Sequence, residues 1–248
     1  MMITQKVNAL VLAAGKGSRS GLTYNKCLYK IEGRSIISSI IEKFAFLDSK
    51  SVIVINSGDK DLFEENLKDN LNRIEFVFQD NPLGMGNAVL KFKSSSVYLD
   101  SEHLLLIWGD LPFIEEATIK EMVTRHLEDG NDFSFVSADS DEAYTRVIRN
   151  ADGQVIDLIE THEESLNLKS GERDIGLFIF KTKKILEMLE KDLDGKVGKR
   201  TNEHSFLYII KHLVKAKMNV SAYKIAKSDE LISLNTQDDI ELIKSLKS

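Results

Sequence analysis

Residues 10–19 read LVLAAGKGSR, and a further lysine follows at position 26. In this stretch an apolar run passes into small residues and then into a glycine loop that carries cations. A buried strand presents its end to a phosphate in this way, because glycine lets the backbone approach closely while Arg and Lys neutralise the charge. An ordinary strand-to-helix turn would explain one glycine and one cation. Two glycines, two alanines and three cations favour phosphate binding.

The composition is that of a globular protein: of 248 residues, 42% are hydrophobic and 29% are charged. The formal net charge of −6 argues against a broad nucleic-acid-binding surface. The single cysteine, Cys27, excludes an intramolecular disulfide, and neither a signal peptide nor a membrane-spanning apolar stretch is visible. We therefore expect a cytoplasmic protein without nucleic-acid or membrane partners. The sequence leaves the oligomeric state open.

The first part of the chain alternates between two kinds of segment. Segments with apolar residues at helical spacing separate short apolar runs, which lie at 7–12, 51–55, 74–78, 103–108 and 133–138. Uninterrupted apolar strands are typical of parallel sheets covered on both faces. The alternation predicts an α/β fold with crossover helices.

After about residue 138 this rhythm changes. A hairpin is predicted over 145–159, because Asn150 and Gly153 supply a turn between two strand-like runs, and another strand at 174–180. Helices are predicted at about 182–191, 203–215 and 236–246. We expect one domain over 1–248, in which residues 1–140 bind the nucleotide and residues 141–248 add antiparallel strands that cover a second ligand.

Two familiar nucleotide-binding patterns do not fit the glycine loop. Its spacing, Gly15-x-Gly17-x-x-x-Gly21, is one residue off the dinucleotide fingerprint, and the strand at 51–55 is followed by Asn56 rather than an acidic residue. The Walker pattern is also absent. Both patterns are therefore disfavoured.

Two other strand ends carry polar side chains that suit a ligand. Gln79 precedes a turn with Gly84 and Gly86, and its amide offers a donor and an acceptor to a base edge. A plain strand-to-helix turn explains these residues equally well. Asp110 follows the apolar strand at 103–108, where a carboxylate is costly unless it is paired or holds a metal. We interpret Asp110 as a Mg²⁺ ligand rather than a helix cap, since open α/β sheets bind ligands at this edge.

Together the motifs resemble the sugar-phosphate nucleotidylyltransferases. The shared pieces are L-x-A-A-G-x-G-S-R, a lysine seven residues on, Q-x-x-P-L-G-x-G-x-A and G-D-x-P, in that order. The set is most similar to the uridylyltransferase domain of the bifunctional N-acetylglucosamine-1-phosphate enzymes and covers essentially the whole chain. The resemblance implies a Rossmann-like, three-layer nucleotidyltransferase fold, with a mostly parallel sheet and an added antiparallel acceptor-binding lobe.

The resemblance also implies roles for individual residues. Those that act on the triphosphate, and so count as catalytic, are Arg19 and Lys26. Contacts to the nucleotide are implied for Leu12, Ala13, Ala14, Gly15, Lys16, Gly17, Ser18, Gln79, Gly84 and Met85. The Mg²⁺ ligands would be Asp110 and Asn235. The acceptor would be bound by Thr145, Glu160 and Asp174.

Four positions depart from the family pattern. Asn25 stands in place of a proline before the lysine, and Met85 replaces a threonine between the two glycines. Thr145 replaces a glycine that contacts the acceptor and adds bulk there. Asp174 replaces an asparagine with a carboxylate, which can accept hydrogen bonds from an ammonium or join a metal.

The activity implied is transfer of a nucleoside monophosphate from a nucleoside triphosphate to a small phosphorylated acceptor, with release of pyrophosphate. The pairing of Gln79 with Gly84 suits a pyrimidine, and the acceptor positions and the tail at 234–239 also resemble small cytidylyltransferases of bacterial surface-polymer pathways. We expect CTP with an acceptor such as phospho-L-glutamine, in capsule modification, and UTP with a sugar 1-phosphate as the alternative. A nucleotide-binding protein without catalysis is disfavoured, because Arg19, Lys26 and Asp110 are all present.

Overall fold

The computed structural model describes residues 5–15, 17–141, 144–161 and 170–247. The predicted nucleotide contact at Lys16 lies outside these residues, and so does the side chain of Ser18.

Eleven strands occur in the described residues, and seven of them form the central sheet. In chain order they are β1 (Val7–Leu12), β2 (Lys30–Ile31), β3 (Arg34–Ser35), β4 (Ser51–Ile55), β5 (Ile74–Phe78), β6 (His103–Trp108), β7 (Phe133–Ser140), β8 (Thr145–Arg149), β9 (Val155–Glu160), β10 (Gly171–Lys181) and β11 (Val220–Lys224). The order across the sheet is β11-β7-β10-β6-β1-β4-β5. All neighbours are parallel except that β10 runs antiparallel to both β6 and β7.

Helices cover both faces of this sheet. They are α1 (Ile36–Lys43), α2 (Lys60–Asn66), α3 (Met85–Leu90), α4 (Glu116–Glu128), α5 (Thr182–Glu190), α6 (Ile209–Lys215) and α7 (Gln237–Ser245). Side chains of α1, α2, α4 and α7 belong to one apolar cluster, and those of α3, α5 and α6 belong to another. Successive residues of β1 point into opposite clusters, as the strand period requires: Val11 packs on one side and Leu10 on the other.

The predicted fold class is confirmed. A mostly parallel sheet lies between two helical layers, and the antiparallel hairpin of β8 with β9 is added in the second half. The strands predicted at 7–12, 51–55, 74–78 and 103–108 have these bounds in the structure. The division of one domain at residue 140 stays a prediction. No helix in the described part of the chain is both long and apolar enough to cross a bilayer.

The helix predicted from residue 203 is wrong over its first half, because α6 begins only at Ile209. Residues 203–205 instead run beside the turn that precedes α3. His204 N–H donates to the Leu83 carbonyl at 2.9 Å, and Gly86 N–H donates to the His204 carbonyl at 2.9 Å. In residues 203–205, backbone hydrogen bonds to a distant segment replace those of a helix. The helical spacing of apolar residues therefore does not predict the structure here.

Candidate active site

The glycine loop lies at the carboxyl edge of the sheet, beside the end of β6. Ala13 N–H donates to the Val54 carbonyl of β4 at 2.8 Å, and Gly109 N–H donates to the Leu12 carbonyl at 2.9 Å. These bonds tie the start of the loop to both neighbours of β1. The sheet order is β6-β1-β4-β5, so Asp110, just after the end of β6, lies beside the loop. Gln79, just after the end of β5, lies two strands away from β1.

The loop itself is open to a ligand at its tip. Ala13 is buried and Leu12 and Ala14 are half-buried, whereas Gly15 is exposed with open space where a Cβ would lie. Gly17 has a φ of +57°, which favours glycine. Arg19 is exposed, and it forms no ion pair with any residue that the structure describes.

Asn25, a departure from the family pattern, holds this loop in place. Its Nδ2 donates to the Ala13 carbonyl at 2.7 Å and to Asp59 Oδ2 at 3.2 Å, while its Oδ1 accepts from Cys27 N–H at 3.1 Å. The side chain is buried. A proline would supply rigidity through its ring, whereas here a buried amide supplies it through hydrogen bonds.

Lys26 meets both predicted metal ligands. Its Nζ lies 2.5 Å from Asp110 Oδ2 and 2.7 Å from Asn235 Oδ1, and the lysine and aspartate side chains are only 14% and 12% exposed. Asn235 is oriented in turn by its neighbours: its N–H donates to Asp239 Oδ2 at 2.8 Å and its Nδ2 donates to Ser233 Oγ at 2.7 Å. Asp110 and Asn235 follow Lys26 by 84 and 209 positions in the chain, and both meet its ammonium group.

The same cluster presents oxygen atoms of the kind that Mg²⁺ prefers. Asp110 Oδ1 is buried and accepts no hydrogen bond from any described residue, although a buried carboxylate oxygen is costly to leave unpartnered. Asn235 Oδ1 adds a second oxygen beside it. Among the described residues, no group of three or more His, Cys, Asp or Glu forms a metal cluster. One carboxylate and one amide nevertheless fit an ion that takes its remaining ligands from water and phosphates.

The Gln79 turn is closed against residues 203–205. Gln79 is buried, and its Nε2 donates to the Gly84 carbonyl at 3.1 Å and to Asn87 Oδ1 at 2.9 Å. A Cβ on Gly84 would lie 2.4 Å from the His204 carbonyl oxygen, and one on Gly86 would lie 2.3 Å from that of Ser205. Both glycines are therefore required by the approach of another backbone segment of the chain.

Met85 begins α3, and its half-buried side chain packs against the apolar cluster on that face of the sheet. The hydroxyl that the family has at this position is thus replaced by a side chain engaged in the core.

The three predicted acceptor residues lie next to one another. Thr145 is the register partner of Glu160 across β8 and β9, and its Oγ1 donates to Asp174 Oδ1 at 2.5 Å. Asp174 Oδ2 accepts from Gly176 N–H at 2.8 Å, so both carboxyl oxygens have partners within the protein. Burial raises the pKa of Asp174. Glu160 Oε1 accepts from Ser205 Oγ at 3.1 Å.

Trp108 lies between the predicted acceptor residues and the cluster formed by Lys26, Asp110 and Asn235. Its ring packs so closely on the backbone that a Cβ at Gly176 would lie 2.4 Å from Cε3. Asp174 precedes that glycine by two residues, and Asp110 follows the tryptophan by two. The antiparallel pairing of β6 with β10 thereby brings one predicted metal ligand, Asp110, near one predicted acceptor residue, Asp174.

Sequence reasoning missed three contributors to this site: the amide of Asn25, the ring of Trp108, and Ser205. The asparagine was visible as a departure from the family, but its partners were not. The serine carries no local signal, since its role depends on residues 203–205 reaching across to β9.

The fold and this cluster define the class of the protein, a nucleotidyltransferase. The family profile described as "MobA-like NTP transferase domain" matches residues 9–199. Because the match covers most of the chain, the chain belongs to this family. The predicted superfamily and enzyme class are thereby confirmed.

Curated relatives extend the similarity over nearly the whole chain. The bifunctional protein GlmU of Streptococcus mutans is 28% identical over 242 residues, which cover 96% of this chain and 51% of that protein. GlmU of Thermodesulfovibrio yellowstonii is 28% identical over 240 residues, covering 95% and 51%. The chain thus spans about half the length of these relatives.

Among solved structures, a 4-diphosphocytidyl-2C-methyl-D-erythritol synthase from Anaerococcus prevotii superimposes with a TM-score of 0.68. The alignment covers 98% of this chain and 96% of that one at 17% identity. At this identity the similarity shows the fold alone.

Proposed function

We propose that the protein is a Mg²⁺-dependent nucleotidylyltransferase that transfers a pyrimidine nucleoside monophosphate, from CTP in preference, to a small phosphorylated acceptor. The observation that carries this proposal is the convergence of Lys26, Asp110 and Asn235 beside the glycine loop. A cation and two oxygen ligands at a phosphate-binding loop suit the transfer of a phosphoryl-linked group.

The residues of this site act by alignment and charge neutralisation. An acceptor phosphate oxygen forms a bond to the α-phosphorus while the bond to the pyrophosphate oxygen breaks, and pyrophosphate leaves with the electron pair. The acceptor phosphate is anionic at neutral pH, so no general base is needed. Arg19 and Lys26 supply positive charge to the triphosphate. Mg²⁺ held by Asp110 and Asn235 would add neutralisation of the phosphate oxygens.

The acceptor proposal rests on a cavity of about 320 Å³ beside Glu160. Asp157, Ser205, Lys199 and Lys211 line the same cavity, so two carboxylates and two ammonium groups face one volume. Such a lining suits an acceptor that carries both charges, and phospho-L-glutamine is the candidate. Asp174 is buried with both oxygens bonded within the protein, whereas Glu160 lines the cavity, so we assign an acceptor ammonium to Glu160 and a wall of the site to Thr145 and Asp174.

The biological setting belongs to the same proposal. A cytidylyltransferase with this acceptor would act in the cytoplasm, where nucleoside triphosphates are available, and would supply an activated group for capsule or surface-polysaccharide modification.

A second candidate function is a UTP-dependent uridylyltransferase for a sugar 1-phosphate of the N-acetylglucosamine type. It is favoured by the 28% identity to GlmU over 96% of the chain. The bulk of Thr145 and the Thr145–Asp174 hydrogen bond argue against it, because both fill space on the acceptor side.

A pyrophosphate-release screen separates the candidates. The protein with Mg²⁺ is combined with each of four nucleoside triphosphates and with phospho-L-glutamine, phosphocholine or N-acetylglucosamine 1-phosphate. We expect release with CTP and a charged, non-sugar acceptor. Release with UTP and the sugar phosphate alone would support the second candidate. Nucleotide binding without any release would instead show a binding protein that lacks catalysis.

Asp110→Asn tests the site directly. The substitution keeps the size of the side chain but removes the charge that pairs with Lys26, so we expect pyrophosphate release to fall by on the order of 100-fold or more. Asp100→Asn, at an exposed carboxylate paired with Lys6, is the matched control and should leave the rate unchanged. Near-normal turnover of Asp110→Asn, measured below its Tm, would refute the proposed metal role.

A further inference from the structure

Another cavity, also of about 320 Å³, lies between α1, the β2–β3 hairpin, the loop after Asp110 and the residues that follow α7. None of the residues assigned above to nucleotide, metal or acceptor lines it. It is therefore a separate site from the one proposed for the reaction.

The charged lining of this cavity is mainly basic. Arg34, Lys43 and Lys247 face it, with Glu32 as the one carboxylate among the lining residues that the structure describes. This local excess of positive charge occurs in a chain whose formal net charge is −6. A cationic concavity on an acidic protein attracts small anions selectively, because low-dielectric walls focus the field.

The proposal depends most on Lys43, whose ammonium group faces this cavity. Its side chain is half-buried, and its ammonium forms no hydrogen bond or ion pair with any residue in the described part of the chain. Burial lowers the pKa of this lysine, as expected for a desolvated ammonium group, and the nearby carboxylates of Glu42, Glu115 and Glu116 oppose this effect only in part. A half-buried ammonium without a hydrogen-bond partner is incompletely solvated, and a bound anion would supply that partner.

The two other cations in the lining, Arg34 and Lys247, have N–H donors available for a ligand. Arg34 Nη1 pairs with Glu42 Oε2 at 2.5 Å, and Lys247 Nζ lies 3.3 Å from Glu32 Oε2. Both pairs are exposed and therefore weak. A guanidinium has five N–H donors and an ammonium three, so each group has donors left for an oxyanion.

We propose that this cavity binds a small multivalent oxyanion, such as a phosphate or a polycarboxylate, between Lys43, Arg34 and Lys247. The ligand would also touch two segments that serve the active site. Pro112, in the wall, follows Asp110 by two residues, and the helix that ends before Lys247 begins two residues after Asn235. Leu234 N–H already joins these segments by donating to the Asp110 carbonyl at 2.9 Å. An anion here is thus placed to act as an effector.

Titration of the ¹⁵N-labelled full chain tests the site without any assay of turnover. Phosphate, citrate and chloride are added at constant ionic strength, and amide shifts are followed by NMR. We expect saturable shifts at Gly33, Ser39 and Phe113 with phosphate or citrate but not with chloride. Saturation by only one of the two oxyanions would identify the chemical group that the site prefers.

Substitution of Lys43 gives the decisive comparison. Lys43→Met should weaken the binding that these three amides report by about tenfold, since a charge-assisted hydrogen bond is lost, while Lys43→Arg should retain it. Any phosphate shifts at Gly15 and Gly17 in the glycine loop should survive in both variants. Lys215→Met, at an exposed lysine of α6, is the control for general charge loss.

Two results would overturn the proposal: no saturable shift at the cavity amides, or equal affinity in the wild type and Lys43→Met. If Lys43→Met does not give a folded spectrum, Arg34→Gln replaces it, because Arg34 is exposed and its loss should weaken the same shifts.

Discussion

At the scale of single residues, position 26 places an ammonium group where the two candidate metal ligands converge. The group lies 2.5 Å from Asp110 Oδ2 and 2.7 Å from Asn235 Oδ1. It pairs with the carboxylate, so a divalent cation at Asp110 would have to compete with it. In the proposed reaction Lys26 would turn from these oxygens to the triphosphate.

Lys26→Met should therefore raise the affinity of the nucleotide-free protein for Mn²⁺, because Asp110 would no longer be neutralised. Binding is measured by the electron paramagnetic resonance signal of free Mn²⁺. Turnover should fall in the same variant, since a cation that acts on the triphosphate is lost. Lys60→Met, at an exposed lysine paired with Glu64, is the control.

Unchanged or weaker Mn²⁺ binding by Lys26→Met would contradict this account. Removing one partner of a largely buried pair is expected to destabilise the fold, by about 3–5 kcal/mol at full burial. The Tm is therefore recorded with and without Mn²⁺, and Mn²⁺ should restore part of the loss.

At the scale of secondary-structure elements, β6 and α4 are joined by two buried histidines. His103 Nδ1 lies 2.9 Å from His126 Nε2, and His126 Nδ1 lies 2.9 Å from Ser134 Oγ. Burial lowers the pKa of both rings, that of His126 to about 3. In the folded protein His126 is therefore neutral at pH values where it is protonated in the unfolded chain.

This difference predicts a loss of stability in acid. The contribution of His126 is fully present above its unfolded pKa of 6.5 and is lost as the pH falls toward about 3. Between pH 7 and pH 5 the wild type should lose about 2 kcal/mol more free energy of unfolding than His126→Gln. Urea unfolding at both pH values measures this. His212→Gln, at the surface of α6, is the control, and parallel losses in wild type and His126→Gln would refute the explanation.

A second contact between elements links the turn after Gln79, predicted to bind the nucleotide, to Glu160, predicted to bind the acceptor. Residues 203–205 lie between the turn before α3 and Glu160 of β9. Gly86→Ala would place a Cβ 2.3 Å from the Ser205 carbonyl oxygen and displace this segment.

We expect Gly86→Ala to lower stability by about 1–3 kcal/mol, as overpacking does, and to raise KM for the acceptor more than for the nucleotide, because Ser205 bonds Glu160. Steady-state kinetics with each substrate varied in turn provide the measurement. Gly58→Ala is the control, since its Cβ would meet only the Asn56 side chain, at 3.2 Å. Equal effects on both KM values would show that the segment does not transmit the change.

At the scale of the whole molecule, the parallel part of the sheet could be predicted from the sequence. β1, β4 and β6 are buried on both faces, so each reads as a continuous apolar run with clear ends. The short strand β11 at the edge of the sheet was missed, because its half-buried sequence VSAYK has no such run.

The site was predictable only in part, for the same physical reason. Polar residues that end parallel strands, such as Asp110, are positioned by the sheet and can be read locally. The partners of Asp174 could not be read in this way, because they are Thr145 of β8 and the backbone of Gly176 in its own strand, β10. Residues 203–205 were misassigned because their backbone partners lie about 120 residues earlier in the chain.

The packing of Trp108 on Gly176 has an optical consequence. Trp108 is the only tryptophan in the chain, and its indole Nε1 is buried with no hydrogen-bond partner among the described residues. Its intrinsic fluorescence therefore arises from one point, between Asp110 and the acceptor residues. We expect emission at a short wavelength that shifts or is quenched when nucleotide or acceptor is titrated in, and no change in either titration would place both ligands elsewhere. A change in either titration would make Trp108 an unlabelled reporter of substrate occupancy.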